Sequence, residues 1–271
     1  MTVPHVLDTT DGHEALRTQV EQILQQVIPL VGSTTELPLP PRAVYRLVDV
    51  ETWQSEQQSE SVLIAHALED AHPAAQRQAI RESFQQQSAF FREAGPVLGG
   101  ILVMGATQGD TSQTLLVPEA LQHSGVLSSP EYLTQVIAHE LTHQFQNYVS
   151  ARATWPARRP AALRRYRSVK VLEEGHAYWT DRKITEALFG KVWDAVDAPR
   201  SDTYLQAEKQ MGPMAAARRE PYTKGLALVE TAVEAVGLTG LNRVWSRPDL
   251  LPDDQEVESP ELWASRLESS D

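Results

Sequence analysis

Cysteine is absent from this sequence, which excludes disulfides, thiolate metal sites, iron–sulfur clusters and cysteine nucleophiles. No apolar run approaches the roughly 20 residues that a membrane helix needs, and the N-terminus lacks the basic start and apolar stretch of a signal peptide. Lysine and arginine number 24 against 36 aspartates and glutamates, a net charge of −12, so the average surface repels nucleic acid and anionic membranes. We therefore expect a cytoplasmic globular protein that binds neither nucleic acid nor a membrane.

The chain has 271 residues, of which 41% are hydrophobic, and this suffices for one large domain or two small ones. Composition changes near residue 95, where Gly95-Pro96 ends a helical pattern. We interpret residues 1–95 as an N-terminal scaffold region and residues 96–271 as a second region, with one continuous domain over 1–271 as the alternative. Within the first region, apolar periodicity predicts helices over 12–31, 56–69 and 74–92 and a strand over 43–50.

The second region begins with strands and continues with helices. Residues 99–105 are typical of a buried strand, and residues 114–117, followed by Pro118, are typical of an edge strand. Ser129-Pro130-Glu131 then combines a serine cap, a proline in the first turn and an acid at the positive end of the helix dipole. The sequence predicts an α+β fold, with a small mixed sheet over this helix and a mainly helical C-terminal lobe.

The helix that begins at Pro130 contains the segment His139-Glu140-Leu141-Thr142-His143. Positions i and i+4 lie on one face of a helix, so both imidazoles can reach a single cation. Glu140 projects beside them, where its carboxylate can take a proton from metal-bound water. Two unrelated histidines on a helix rim are the alternative interpretation.

A catalytic zinc takes three protein ligands and a water, and without cysteine the third ligand must be His, Asp or Glu. Glu174 is the best candidate, because it shares the inward face of a helix with Val171 and Tyr178, and a buried acid needs a partner. Glu173 is the alternative ligand, but it lies about 100° around the helix from that face. Gly175 costs about 1 kcal/mol against alanine in mid-helix, a loss that close packing of two helices would explain.

Two further polar residues follow on the same helix. Asp181 lies on the inward face, where it would accept a hydrogen bond from a ligand histidine and fix its tautomer. The alternative is a surface acid paired with Arg182 or Lys183. His176 is a possible ligand or substrate contact, although lining the cleft or packing on the surface is the simpler expectation for it.

Three segments resemble one family of enzymes. His139 to Phe145 is similar to the H-E-L-x-H-Q-[WF] signature of gluzincin zinc metallopeptidases, the clan of thermolysin and the neutral aminopeptidases. Glu174-Gly175-His176-Ala177 resembles the N-E-G-x-A segment that gives the third ligand in the aminopeptidase branch, and Asp181 occupies the acidic position seven residues after that ligand. Tyr222-Thr223-Lys224-Gly225 resembles the Y-x-K-G segment, whose tyrosine stabilises the oxyanion.

The resemblance spans residues from about 97 to 240 and has two departures. His143 and Glu174 are 31 positions apart, so an extra segment is inserted relative to the aminopeptidases. The G-x-M-E-N strand motif that binds a free substrate amine has no equivalent between Gly100 and Glu119. Small gluzincin-like proteins are therefore the closer comparison, and the resemblance implies a zincin-like fold.

The helix expected to start at Pro221 places Tyr222 in its first turn, and Gly237 is expected to close that helix. A phenol at a helix N-terminus facing the core can donate a hydrogen bond to a developing oxyanion. The alternative is an ordinary tyrosine packed at a helix end.

The segment 152–170 between the second and third ligands holds seven of the 24 cationic residues. A solvated loop and helix start is the simplest interpretation of this charge. The alternatives are a counterpart to acidic helices of the same protein, a site for an acidic peptide or partner, and, least favoured, a nucleic-acid patch.

These observations predict a zinc metallopeptidase in which Zn²⁺ is held by His139, His143 and Glu174, with Glu140 as general base and Tyr222 at the oxyanion. We expect a peptide or protein substrate that pairs with the main chain of an edge strand, which we place at 114–117. Two alternatives remain: a metal-loaded zincin-fold binding or regulatory protein without turnover, and a zinc hydrolase of a small non-peptide amide. The sequence leaves the oligomeric state open.

Overall fold

The computed structural model describes residues 2–71, 101–104, 112–150 and 165–270, together with scattered positions between 73 and 98. The strands are β1 (Val3–Asp8), β2 (Arg42–Leu47), β3 (Ile101–Met104) and β4 (Gln113–Leu116). The helices are α1 (Glu14–Thr35), α2 (Val50–Ala71), α3 (Pro118–His123), α4 (Pro130–Val149), α5 (Tyr166–Phe189), α6 (Asp202–Met211), α7 (Pro213–Asn242), α8 (Asp254–Glu258) and α9 (Pro260–Glu268). Apart from isolated positions, the helix predicted over 74–92 lies outside the described residues.

Within the described residues, the sheet has four strands in the order β1-β2-β4-β3. β1, β2 and β4 are parallel, and β3 is antiparallel to β4. Strands from both sides of residue 95 therefore share one sheet. The predicted α+β fold, with a small mixed sheet and a helical C-terminal lobe, is confirmed.

β4, the strand expected at the edge of the sheet, lies in its interior. Thr114 is paired with Tyr45 of β2 on one side and with Val103 of β3 on the other. Pro118, which suggested an edge, instead occupies the first turn of α3, where the missing N–H of proline leaves no hydrogen bond unmade. The prediction that a substrate pairs with the main chain of residues 114–117 is therefore wrong.

α4 is the central helix and packs against the sheet, α1 and α5, while α5 packs in turn against α7. The apolar face of α4 is fully buried at Leu133, Ile137, Leu141 and Phe145. This burial leaves the adjoining face of α4, which carries the two histidines, directed toward α5. No helix in the described part of the chain has the length and apolarity needed to span a bilayer.

α7 begins at Pro213, eight residues before the predicted start, and Pro221 lies inside it. The alanine run at 215–217 strongly favours a helix, so the helix starts before this run, at Pro213, and continues past Pro221. Tyr222 is therefore in the body of α7 rather than in its first turn. At Gly237 the backbone leaves helical geometry with φ 68° and ψ 176°, so the helix is interrupted where its end was predicted.

Candidate metal centre

α4 brings the two histidines of the H-E-x-x-H segment together. Ser129 caps the helix by accepting a hydrogen bond from the backbone N–H of Glu131, as the sequence predicts. One turn apart on this helix, His139 and His143 have their Nε2 atoms 3.2 Å from each other.

Gln144, the next residue, fixes α4 to the sheet. Its side-chain Oε1 accepts from the backbone N–H of Val44 at 3.2 Å, and its Nε2 donates to the carbonyl of Val44 at 2.9 Å and to Thr114 Oγ1 at 2.8 Å. The amide of Gln144 thus takes the place of a peptide group beside β2. The glutamine of the motif sets the distance between the histidine helix and the sheet.

α5 supplies a third ligand atom to this pair. Glu174 Oε2 lies 3.3 Å from His139 Nε2 and 3.6 Å from His143 Nε2. Ligand atoms that bind Zn²⁺ tetrahedrally at 2.0–2.2 Å lie about 3.3–3.6 Å apart, so this triangle has the size that zinc requires. Among the described residues, these three side chains form the group able to hold a metal ion, and Glu173, the alternative, is not part of it.

Hydrogen bonds at the outer ring nitrogens determine which atoms carry lone pairs. His139 Nδ1 lies 2.8 Å from Asp181 Oδ2, and His143 Nδ1 lies 2.8 Å from Gln146 Oε1. Both oxygens are acceptors, so each Nδ1 carries a proton and each Nε2 is the ring nitrogen that can bind a metal. In the neutral form of the two rings, two imidazole lone pairs and a carboxylate oxygen converge on one point, and a divalent cation is the partner that fits this donor set.

Asp181 is fully buried beneath His139, in the arrangement expected of a residue that orients a ligand. Its Oδ2 also accepts from Gln135 Nε2 at 2.7 Å, and Gln135 Oε1 accepts from the backbone N–H of Ala195. Burial raises the pKa of the Asp181 carboxyl to about 6, although its hydrogen bond with His139 acts in the opposite direction.

His176 belongs to a buried chain behind the second histidine and reaches neither the cleft nor the surface. Gln146 Nε2 donates to the backbone carbonyl of Glu173 at 3.0 Å and lies 3.1 Å from His176 Nδ1. Because a backbone carbonyl only accepts, this contact orients the Gln146 amide with its oxygen toward His143. Burial between Trp179 and Trp245 lowers the pKa of His176 to about 3, so this ring is neutral and accepts from Gln146.

Sequence reasoning missed both glutamines, although their spacing was a usable signal. Gln135 precedes His139 by four residues and Gln146 follows His143 by three, so both lie on the histidine face of the helix. Both are at most 5% exposed. A buried amide one turn from a candidate ligand is therefore the pattern to look for.

Electrostatics differ sharply among the site's acids. Burial raises the pKa of Glu140, and the two histidines only partly oppose this effect. For Glu174, burial also acts upward, but hydrogen bonds with both histidines outweigh it and hold the pKa well below its usual range. Burial lowers the pKa of His139, yet the carboxylates of Asp181 and Glu174 prevail and raise it well above its usual value.

A pair of glycines brings α5 and α7 into backbone contact. A Cβ atom added at Gly175 would lie 2.1 Å from the carbonyl carbon of Gly225, and one at Gly225 would lie 2.2 Å from the carbonyl oxygen of Val171. The close packing that Gly175 suggested is thus present. Glu174 and Tyr222 lie beside this crossing, so the glycines of the second and third motifs bring the ligand and the tyrosine together.

Tyr222 packs over the first histidine. Its ring centroid is 5.7 Å from that of His139, and the ring of Tyr178 meets it edge-on at 5.8 Å. Tyr178 is itself fixed, because its hydroxyl donates to Asp194 and accepts from Arg182. The tyrosine predicted at the oxyanion is therefore held against the metal centre by an immobile neighbour.

The metal centre opens into a cavity of about 750 Å³, which Glu140 and Tyr222 also line. This volume lies in the range of pockets that hold drug-sized ligands. Trp53 and Leu98 contribute to the wall, so residues from both sides of residue 95 shape the cleft.

Within the described part of the basic segment, Arg167 is paired with acids of the same chain. Arg167 Nη2 donates to Glu220 at 2.8 Å and to Glu258 at 3.0 Å. Arg165 donates to the backbone carbonyl of Leu251. Of the alternatives that the sequence left open for this segment, the contacts of Arg167 agree with a positive counterpart to acidic helices of the same protein. Residues 152–164 lie outside the described part of the chain.

Comparison with known protein families gives a match in the C-terminal part of the chain. A family model described as zincin-like metallopeptidase matches residues 200–264, which cover α6, α7, α8 and the first half of α9 and include Tyr222 and Gly225. The chain is similar to zincin-like metallopeptidases. The predicted likeness to zincin-like metallopeptidases is thus confirmed, and of the three motifs the match covers the one that holds Tyr222.

Among solved structures, a candidate hydrolase with a novel fold from Chloroflexus aurantiacus is similar over 97% of this chain and 93% of its own, with a TM-score of 0.57 and 16% identity. At this identity the likeness concerns the fold. No curated protein gives a match to the sequence. The family match supports a hydrolase of the zincin type, a class that implies a metal.

Proposed function

We propose that this protein is a zinc-dependent peptidase whose metal is held by His139, His143 and Glu174. The convergence of two imidazole lone pairs and a carboxylate oxygen at 3.2–3.6 Å carries this proposal. When the two imidazoles are neutral, a cation between them and the carboxylate relieves the repulsion of the three ligand atoms, and a triangle of this size matches tetrahedral zinc.

The residues around the metal have separate tasks. Zinc held by these ligands would act as a Lewis acid on the scissile carbonyl and would lower the pKa of the attacking water. Glu140 would take the proton of that water and pass it to the leaving amine, and burial, which raises the pKa of Glu140, makes it a stronger base for the first of these transfers. Tyr222 donates a hydrogen bond to the carbonyl oxygen as negative charge develops there.

The surrounding residues keep the ligands in one state. Asp181 and Gln146 each hold a histidine with its proton on Nδ1, so the Nε2 lone pairs stay directed at the metal. An extended peptide segment then binds across Glu140 and Tyr222, which line the same cavity.

Metal content of the purified protein is the first test. Elemental mass spectrometry should find about one zinc per chain in the wild type and much less in Glu174→Ala. Glu173→Ala is the matched control, since it removes a carboxylate one residue away that lies outside the ligand group, and it should retain zinc. If Glu173→Ala loses zinc while Glu174→Ala keeps it fully, the third ligand is Glu173 and our assignment of Glu174 is wrong. If the wild type holds no zinc even after zinc addition, the proposed metal site is refuted.

Cleavage of a peptide library is the second test. Glu140→Gln should keep its zinc and lose at least ~100-fold in turnover, because it cannot accept the proton of the water. If Glu140→Gln is as active as the wild type, Glu140 is not the general base and the proposed mechanism is refuted. A zinc-loaded wild type that cleaves amide metabolites but no peptide would make it a small-amide hydrolase, and one that cleaves neither would make it a binding protein.

A further inference from the structure

One wall of the cavity carries an ion cluster separate from the metal ligands. Arg200 Nη1 donates to both carboxylate oxygens of Glu208 at 3.1 Å, and Arg219 Nη2 donates to the same carboxylate at 3.3 Å. All three residues line the cavity. Two guanidinium groups share one carboxylate, so the cluster keeps a formal charge of +1.

Arg200 is fixed in place and only partly satisfied. Its side chain is 13% exposed, and its guanidinium lies over the ring of Tyr204, 4.8 Å from the ring centroid. Within the described part of the chain, Nη1 is the guanidinium atom that makes its hydrogen bonds. The remaining N–H groups form a rigid fork, the donor geometry that matches a carboxylate.

The cluster lies close to the metal centre along α7. Arg219 precedes Tyr222 by three residues, so the two share a helix face about 4.5 Å apart along the axis. Tyr222 in turn packs over His139 at 5.7 Å. An extended peptide advances about 3.3–3.6 Å per residue, which puts the arginines within one to three residues of the bond held at the metal.

Asp194, another acid of the cavity wall, is already paired with other residues. Asp194 accepts from the hydroxyl of Tyr178 and lies 3.7 Å from Arg182 Nη1. It therefore does not neutralise the arginines. Glu208 orients both guanidinium groups, and a substrate anion would complete the charge balance.

We propose that Arg200 and Arg219 bind a carboxylate of the substrate, so that the protein prefers peptides with a carboxylate one to three residues from the cleaved bond. This inference rests on the peptidase function proposed above. The carboxylate belongs either to an acidic side chain or to the C-terminus of a short peptide, and both sources present the same bidentate acceptor. Arg200 and Arg219 act on specificity and take no part in the chemical step.

Matched peptides test the preference in the zinc-loaded full chain. The set holds one core sequence with glutamate or glutamine at each of three positions on either side of the cleaved bond, each with a free or an amidated C-terminus. We expect kcat/KM to be at least about tenfold higher for the best carboxylate peptide than for its neutral match. If kcat/KM depends on the glutamate and not on amidation of the C-terminus, the bound carboxylate is that of a side chain. If kcat/KM depends on amidation and not on the glutamate, the bound carboxylate is that of the C-terminus.

Substitution of the arginines should abolish the preference. Arg200→Gln and Arg219→Gln should raise KM for the carboxylate peptides toward the neutral value and leave kcat and the neutral peptides nearly unchanged. Arg247→Gln is the control, because Arg247 pairs with Asp249 outside the cavity, and it should behave as wild type. A wild type without preference, or arginine variants that retain it, would overturn the proposal.

Binding to Glu140→Gln separates this proposal from the peptidase function. Fluorescence polarisation of labelled peptides should show the same carboxylate preference when turnover is removed. If the wild type binds carboxylate peptides selectively but cleaves no peptide, the carboxylate subsite is supported and the peptidase function is refuted. If it cleaves peptides without selectivity, the peptidase function is supported and the subsite is refuted. If it binds no peptide at all, both proposals are refuted.

Discussion

Replacing Gly175 with alanine is the smallest change that should open the metal centre. The added Cβ would lie 2.1 Å from the carbonyl carbon and 2.2 Å from the Cα of Gly225. Carbon atoms in contact lie about 3.5–4.0 Å apart, so α5 and α7 would have to separate by more than about 1 Å. The obstacle is backbone on both sides, and no side-chain rotation relieves it.

The cost of this separation can be set against the gain from alanine. Overpacking of a core costs about 1–3 kcal/mol, and alanine returns about 1 kcal/mol as the better helix former. The 2.1 Å approach to the backbone of Gly225 belongs at the upper end of the overpacking range, so the net loss is about 2 kcal/mol, and it lowers the melting temperature by about 4–8 °C in a chain of this size. Because Glu174 precedes the glycine directly, its carboxylate moves with the helix beyond the ~0.2 Å that metal coordination tolerates, and zinc affinity should fall about 10–100-fold.

Thermal unfolding with and without zinc and chelator competition measure the two effects. Gly32→Ala in α1 is the matched control, since the atoms nearest to its new Cβ belong to the flexible side chain of Leu39, the first of them at 3.4 Å, and it should be neutral or slightly stabilising. If Gly175→Ala has the same melting temperature and the same zinc affinity as the wild type, the contact between α5 and α7 at these glycines does not position Glu174.

Three other predictions follow from the contacts of the site. Gln146→Leu should weaken zinc binding about 10-fold or more, as seen by chelator competition, because His143 loses the acceptor that holds its proton on Nδ1; unchanged affinity would contradict this role. Gln144→Leu should lower the melting temperature in zinc-free and zinc-loaded protein alike, since backbone groups of β2 lose their partners. Zinc affinity should fall by about tenfold per pH unit for each displaced proton as the pH drops from 8 to 6, because the carboxylates of Asp181 and Glu174 raise the pKa of His139 and zinc must displace that proton; pH-independent affinity would refute it.

Much of the site could be predicted because its residues are set by helix periodicity. The spacing of His139 and His143 and the inward face shared by Glu174 and Asp181 follow from 3.6 residues per turn. Gly175 carried a further signal, because a glycine within an otherwise helical pattern requires a packing reason, and the contact with α7 supplies it.

The parts that the sequence did not predict depend on contacts between distant segments. β1 buries only one of its six residues, so no alternating pattern marked it as a strand. β4 was placed at the edge because Pro118 follows it, whereas β3 pairs along its outer side. Strand order depends on which segments meet in space, and local composition does not encode it.

The resemblance in short motifs, despite a long insertion, has one physical explanation. Gln144 fixes the histidine helix to the sheet, and Gly175 and Gly225 fix α5 against α7. The position of Glu174 is therefore set by helix packing and does not depend on the length of the segment before it. Lengthening a flexible connection costs only about 0.6 kcal/mol per doubling of its length, so the segment between His143 and Glu174 can lengthen while the triangle of ligand atoms keeps its 3.2–3.6 Å sides.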